Sequence, residues 1–91
     1  MTEDESRSLI VEALHRTANV FNNPSISARL RDQSADIAID ELGLDSLDRV
    51  EWCIEIEART GLDVEPGKLA QCSTLGEFAR LVAKQAVVRA D

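Results

Sequence analysis

Between Ser46 and Thr60 the apolar residues recur at helical spacing but fall into two arcs instead of one. At about 100° per residue, Trp52, Cys53 and Ile56 share one arc and Leu47, Val50 and Ile54 the other, with Asp48, Glu51 and Glu55 in an acidic band between them. A helix needs one apolar arc to join its own core. The second is therefore expected to dock a partner, unless the helix is central and covered on both sides. Gly61 follows as a C′ residue able to close the helix in the left-handed conformation.

The rest of the chain reads outward from this helix. Ile10, Val11, Leu14 and Ala18 give a first helix over Ser8 to Val20, and Thr2 with Glu5 has capping-box spacing ahead of it. Glu3, Asp4 and Glu5 suit the positive end of that helix dipole. Asn22-Asn23-Pro24 breaks the helix, since proline lacks an N–H and disfavours helical geometry in the residue before it. A long connection from Asn22 to Asp45 is expected to be mostly irregular. Ser27 to Gln33 has the makings of one helical turn, and Ile37 and Ile39 alternate with Ala38 and Asp40 over too few residues for a strand. Ile26, Leu30, Ile37, Ile39 and Leu42 are expected to tack this connection down.

Beyond Gly61, Leu62 and Val64 are expected to point inward, and Pro66 to Gln71 to form a short helical turn with proline at its first position. Thr74-Leu75-Gly76-Glu77 has capping-box spacing, and Leu75, Phe78, Ala79, Val82 and Ala86 make the stripe of a last helix. The expected fold is all-α: a small four-helix bundle with three principal helices and one short one, and a long connection between helices 1 and 2. Leu14, Phe21, Trp52, Ile56, Val64, Phe78 and Val82 are its expected core. No repeat or linker divides the chain, so residues 1–91 are expected to be one domain.

Ninety-one residues bury only about 60–65% of the surface their unfolded chain exposes, too little for a deep enzyme cleft. A net charge of −7 argues against nucleic acid and anionic membranes and for partners with basic patches. No apolar run has signal-peptide or bilayer-spanning length, so a cytoplasmic protein without membrane insertion is expected. Cys53 and Cys72 have no metal-ligand spacing and are expected to be buried free thiols; His15 is the single histidine, expected on the surface. No catalytic residue or metal site can be assembled. Ser46 lacks the G-x-S-x-G elbow and a nearby base of a hydrolase nucleophile.

The run Leu42-Gly43-Leu44-Asp45-Ser46-Leu47-Asp48 resembles the prosthetic-group attachment motif of acyl carrier proteins, whose serine in Asp-Ser-Leu carries a 4′-phosphopantetheine arm. The resemblance extends to about Lys84 through Gly61-Leu62-Asp63-Val64 and Ser73-Thr74-Leu75. It implies the acyl-carrier type of bundle, with Ser46 as the attachment residue and the arm drawn from coenzyme A by a phosphopantetheinyl transferase. It also implies that the arm's thiol holds acyl groups for fatty acid, polyketide or specialised lipid synthesis. An acyl-loading ligase or synthase and acyltransferases would dock in turn, on Asp45, Leu47, Asp48, Val50, Glu51 and Ile54. Such a carrier is acted on by enzymes and is not itself one; a monomer is expected.

Trp52 and Ile56 are the candidates for lining an acyl pocket, although Trp52 stands where the family more often has a smaller aliphatic residue. Arg49 and Arg59 dilute the acidic helix, and Thr60 stands where a larger apolar residue is commoner. Two alternatives stay open: an aminoacyl or peptidyl carrier, whose usual Gly-Gly-x-Ser wording is absent, and an unmodified acidic docking module in which Asp45 or Ser46 serves only as a helix cap.

Overall fold

The computed structural model describes residues 2–17, 24–32 and 36–89. Five α-helices occur among them: α1 Glu3–Thr17, α2 Pro24–Arg31, α3 Ser46–Thr60, α4 Pro66–Ala70 and α5 Leu75–Arg89, with a 3₁₀ turn at Ile39–Leu42 before α3. No strand is present among the described residues, and none of the helices is long and apolar enough to cross a membrane.

α1 begins at Glu3, ahead of the expected start at Ser8, because the Thr2 cap turns the acidic lead into its first turn. The Thr2 N–H donates to Glu5 Oε1 and the Glu5 N–H to Thr2 Oγ1, both at 3.1 Å. The hydrogen bond from the Thr2 backbone, then that from its side chain, holds the Glu5 carboxyl below its usual value. The expected extension to Val20, and Phe21 in the expected core, lie outside the described residues. α1 packs against both α3 and α5, and α4 against α3. Ile10, Leu14, Trp52, Ile56, Val64, Phe78 and Val82 are all buried in the shared interior. The Ser6 hydroxyl donates to the Ala79 carbonyl at 2.6 Å, satisfying a buried polar pair between α1 and α5.

The expectation of a mostly irregular connection is corrected. The expected break at Asn22-Asn23 lies outside the described residues; Pro24 is the first residue of α2, where its missing N–H costs no hydrogen bond. Ser27 and Leu30 are the buried residues of this helix. Its C-terminal carbonyls find a remote partner: Arg7 of α1 donates through Nη2 to the carbonyls of Arg29 and Asp32, at 3.3 and 3.0 Å. Further on, Ile37 and Ile39 are buried on either side of one antiparallel bridge between Ala38 and Thr74. The Leu75 N–H donates to the Ile37 carbonyl at 2.8 Å and the Ile39 N–H to the Ser73 carbonyl at 3.0 Å.

Asp36 completes this junction. Its Oδ1 accepts from the N–H groups of Ile37 and Gly76, both at 2.9 Å, so a residue forty positions away caps α5. Thr74 Oγ1 accepts from the Glu77 N–H at 3.1 Å, as the spacing suggested, but the Glu77 carboxylate reaches the Ser73 N–H instead of closing the box on Thr74.

Candidate functional site

The turn into α3 is built by Gly43 and Asp45. Gly43 takes φ 67°, a left-handed conformation, and its N–H donates to the Asp40 carbonyl at 3.3 Å to close the 3₁₀ turn. Open space surrounds the position, so backbone strain and not crowding is what a side chain would meet there. Leu44 packs partly against the core and fixes the chain's approach. Asp45 is extended and serves as the N-cap: Asp48 N–H donates to Asp45 Oδ1 at 2.7 Å, and Asp45 N–H donates to Asp48 Oδ2 at 3.4 Å. This is a capping box with aspartate in both places.

Because Asp45 caps, Ser46 does not have to. It is the first helical residue, exposed, and its hydroxyl makes no hydrogen bond to any described residue. In an α-helix the first N–H groups lack an intrahelical acceptor. Asp45 takes that of Asp48, which leaves those of Ser46 and Leu47 facing outward beside an exposed hydroxyl.

The two arcs of α3 separate as their spacing predicts. Trp52, Cys53 and Ile56 are buried, whereas Leu47 is 63% exposed, Ile54 57% and Val50 37%. The alternative of a helix covered on both sides therefore does not hold. Glu51 is exposed on this face, and Asp48 and Glu55 are half-buried. The two arginines that dilute the acidic helix are both engaged: Arg49 with Asp40 at 3.2 Å, and Arg59 with Glu55 at 3.0 Å and Glu12 of α1 at 3.3 Å. Arg29 of α2 meets Glu41 at 2.9 Å. The 3₁₀ turn is thereby joined to α2 and α3, by exposed pairs of the kind that contribute about 0–1 kcal/mol each.

Trp52 and Ile56 lie on the core side, away from Ser46's exposed neighbours. The Trp52 indole N–H donates to the Ile10 carbonyl at 2.8 Å, and its ring meets Phe78 edge to face with centroids 4.9 Å apart. Thr60 closes α3: its hydroxyl donates to the Ile56 carbonyl at 2.7 Å and accepts from the Leu62 N–H at 3.1 Å. The Gly61 N–H donates to Glu57 with φ 72°, as expected of the C′ position.

His15 is exposed on α1. Cys53 is buried and its thiol is pushed up to about 11, by burial first and Glu57 second; Cys72 is only half-buried, which corrects its expected full burial, and is raised by the same cause. Sequence reasoning missed the Asp36–Gly76 contact and the Arg49–Asp40 pair, which no local pattern reveals. The Asp45–Asp48 box had a readable signal, a capping residue with an acid three positions later.

Compared with known families, the chain matches, over residues 9–82, a model described as "Phosphopantetheine attachment site". Neither the curated proteins nor the solved structures give a match.

Proposed function

The chain belongs to the phosphopantetheine attachment family, whose members bear 4′-phosphopantetheine covalently and are generally non-catalytic carriers, and from this we infer that Ser46 bears the arm. The observation that supports the assignment is the uncommitted, exposed Ser46 hydroxyl at the start of α3. The site suits a phosphodiester. Two outward N–H groups and the positive end of the helix dipole lie beside that hydroxyl, and the nearest carboxylates, Asp45 and Asp48, are each turned onto a backbone N–H.

In the modification, Ser46 Oγ forms a bond to the phosphorus of the phosphopantetheine and the pyrophosphate link of coenzyme A breaks. The adenosine bisphosphate half leaves, and the hydroxyl proton passes to a base on the transferase. The arm then supplies a terminal thiol on which an acyl group is held as a thioester. Residues 1–91 act as one carrier domain, serving fatty acid, polyketide or specialised lipid synthesis. The loading ligase or synthase, the acyltransferases and the transferase itself dock on Leu47, Val50 and Ile54. Asp45, Asp48 and Glu51 orient their basic patches, because apolar contact supplies affinity while charge sets orientation and on-rate.

Intact mass tests the assignment. Incubation with coenzyme A, magnesium and a promiscuous phosphopantetheinyl transferase should add one phosphopantetheine unit to the wild type and none to Ser46→Ala. A folded wild type that stays unmodified with several transferases would leave an acidic docking module as the better account.

A further inference from the structure

An acyl group tethered at Ser46 has two places to go, the interior of the bundle or its outside, and the side chains of the interior decide between them. Trp52 stands at the meeting of α1, α3 and α5 with no exposed surface, and Phe78, Ile56, Ile10 and Leu14 around it are equally buried. Both ends of the indole are committed, its N–H to the Ile10 carbonyl and its ring to the edge-to-face contact with Phe78. Admitting an alkyl chain here means displacing a bulky side chain and stranding a buried N–H, whose desolvation is costly.

Two cavities lined by described residues lie elsewhere, and neither is a substitute. A groove of about 390 Å³ is lined by Leu9 together with Asp4, Glu5, Glu12 and Arg59, and one of about 180 Å³ by Val11 and Leu30 together with Arg7 and Arg31; charged side chains border both, and neither touches Trp52 or Ile56. The exposed arc of Leu47, Val50 and Ile54 is convex helix surface, which leaves one side of any chain lying on it in water.

We propose that this carrier holds its cargo outside the bundle, with Trp52 as the side chain that closes the interior, and that its cargo class is accordingly short or polar acyl groups. The proposal rests on Ser46 as the attachment residue. Trp52 and Ile56 then bar a pocket instead of lining one.

Hydrolysis of the loaded thioester reads this out directly: water attacks the carbonyl carbon, the C–S bond breaks, and free carboxylic acid and the arm's thiol result. Wild-type protein is loaded by a promiscuous transferase from acetyl-, hexanoyl- and decanoyl-coenzyme A. Intact mass records the loading, and each hydrolysis rate is divided into that of the matching free acyl-pantetheine. Sheltering would multiply the protected population by roughly fourfold per buried methylene, so decanoyl would outlast hexanoyl by roughly two orders of magnitude. The expected result is a ratio near one for all three chains, with Trp52 emission unchanged on loading.

Protection that climbs with chain length, accompanied by a shift in Trp52 emission, would overturn the proposal. Failure to load at all, with Ser46→Ala indistinguishable from wild type, would instead remove the attachment assignment and the proposal with it, so the two failures are told apart by mass. Trp52→Leu opens an apolar space of the kind that stays dry and accepts apolar ligands. In that variant the decanoyl ratio should rise by roughly fourfold or more per methylene admitted. A folded Trp52→Leu protein with the same flat profile would remove Trp52 as the closing residue. If Trp52→Leu does not fold, the wild-type series still decides.

Discussion

Asp45 and Asp48 cap each other across the first turn of α3, each carboxylate accepting the other's backbone N–H, at 2.7 and 3.4 Å. The helix start is thus secured by two aspartates that flank Ser46 and Leu47, and not by the serine. Asp45→Ala should lower stability by about 1 kcal/mol, which for a domain of this size lowers Tm by roughly 4–8 °C. Ser46→Ala should stay within about ±0.5 kcal/mol of wild type. Thermal unfolding followed by far-UV circular dichroism checks both. An equal loss in the two variants would mean that Ser46 shares the capping.

Asp36 and Gly76 form a second contact between distant residues, which ties the segment ahead of the 3₁₀ turn to the start of α5. A Cβ placed on Gly76 would lie 3.0 Å from Asp36 Oδ2 and 3.2 Å from Oδ1. Alanine normally gains about 0.5–1 kcal/mol over glycine in a helix. That gain should be absent for Gly76→Ala in the wild type and should reappear in an Asp36→Ala background. A double-mutant cycle in urea measures it, and a coupling below about 0.3 kcal/mol would mean that the carboxylate yields freely.

The same carboxylate makes stability depend on pH. Burial alone would raise the Asp36 pKa, but hydrogen bonds from the Gly76 N–H, the Thr74 side chain and the Ile37 N–H, with the Arg7 charge, outweigh it and lower the pKa below its ordinary value of 3.8. A group lowered on folding contributes in full above its unfolded pKa. That contribution is lost as pH falls from 3.8 through the lower folded value, because the unfolded chain takes up the proton first. Asp36→Asn keeps an acceptor oxygen and removes the titration. Its stability should therefore fall less steeply than wild type on acidification below about pH 4; parallel acid-unfolding curves would contradict the assignment.

Those contacts also show where sequence reasoning stops. The two faces of α3 were legible because each residue's place follows from 100° of rotation, and Trp52, Cys53 and Ile56 are buried while Leu47, Val50 and Ile54 are exposed as that rotation requires. The α1 cap and the Gly61 closure were equally legible, since each involves residues within a single turn. α2 was not: Pro24–Arg31 has only Ile26 and Leu30 as large apolar residues, and its last carbonyls depend on Arg7 of α1. The bridge at Ala38 depends likewise on Thr74, and the cap of α5 on Asp36. Partners so far apart in sequence leave no periodic trace. At the candidate site, motif and spacing singled out Ser46 and the apolar arc of Leu47, Val50 and Ile54, whereas the pairing of Arg49 with Asp40 emerged only from the three-dimensional arrangement.

The exposed arc separates docking from folding. Leu47 and Ile54 bury little, so Leu47→Ala and Ile54→Ala should each leave stability within about ±0.5 kcal/mol of wild type. If this face docks partners, the same substitutions should lower kcat/KM for the phosphopantetheinyl transferase, by about tenfold where roughly 1.4 kcal/mol of contact is lost. Steady-state kinetics with the carrier as varied substrate measures this, and unchanged constants for both variants would move the docking face elsewhere.

Cys53 bears on how the arm would be assayed. Its thiol is buried against the core, with its pKa raised to about 11 by burial and by Glu57. At pH 8 about one thiol in a thousand would be the reactive thiolate, before any hindrance from packing is counted. A disulfide reagent should therefore leave Cys53 unlabelled in the folded protein and label it fully in denaturant, while half-buried Cys72 reacts slowly in the native state. The flexible thiol of an attached arm has neither restraint. Protein carrying the arm should show one fast equivalent that is absent from the apo form and from Ser46→Ala, which stopped-flow absorbance resolves. A fast equivalent in the unmodified protein, lost in Cys53→Ala, would show that the α3 core opens far more readily than its packing implies.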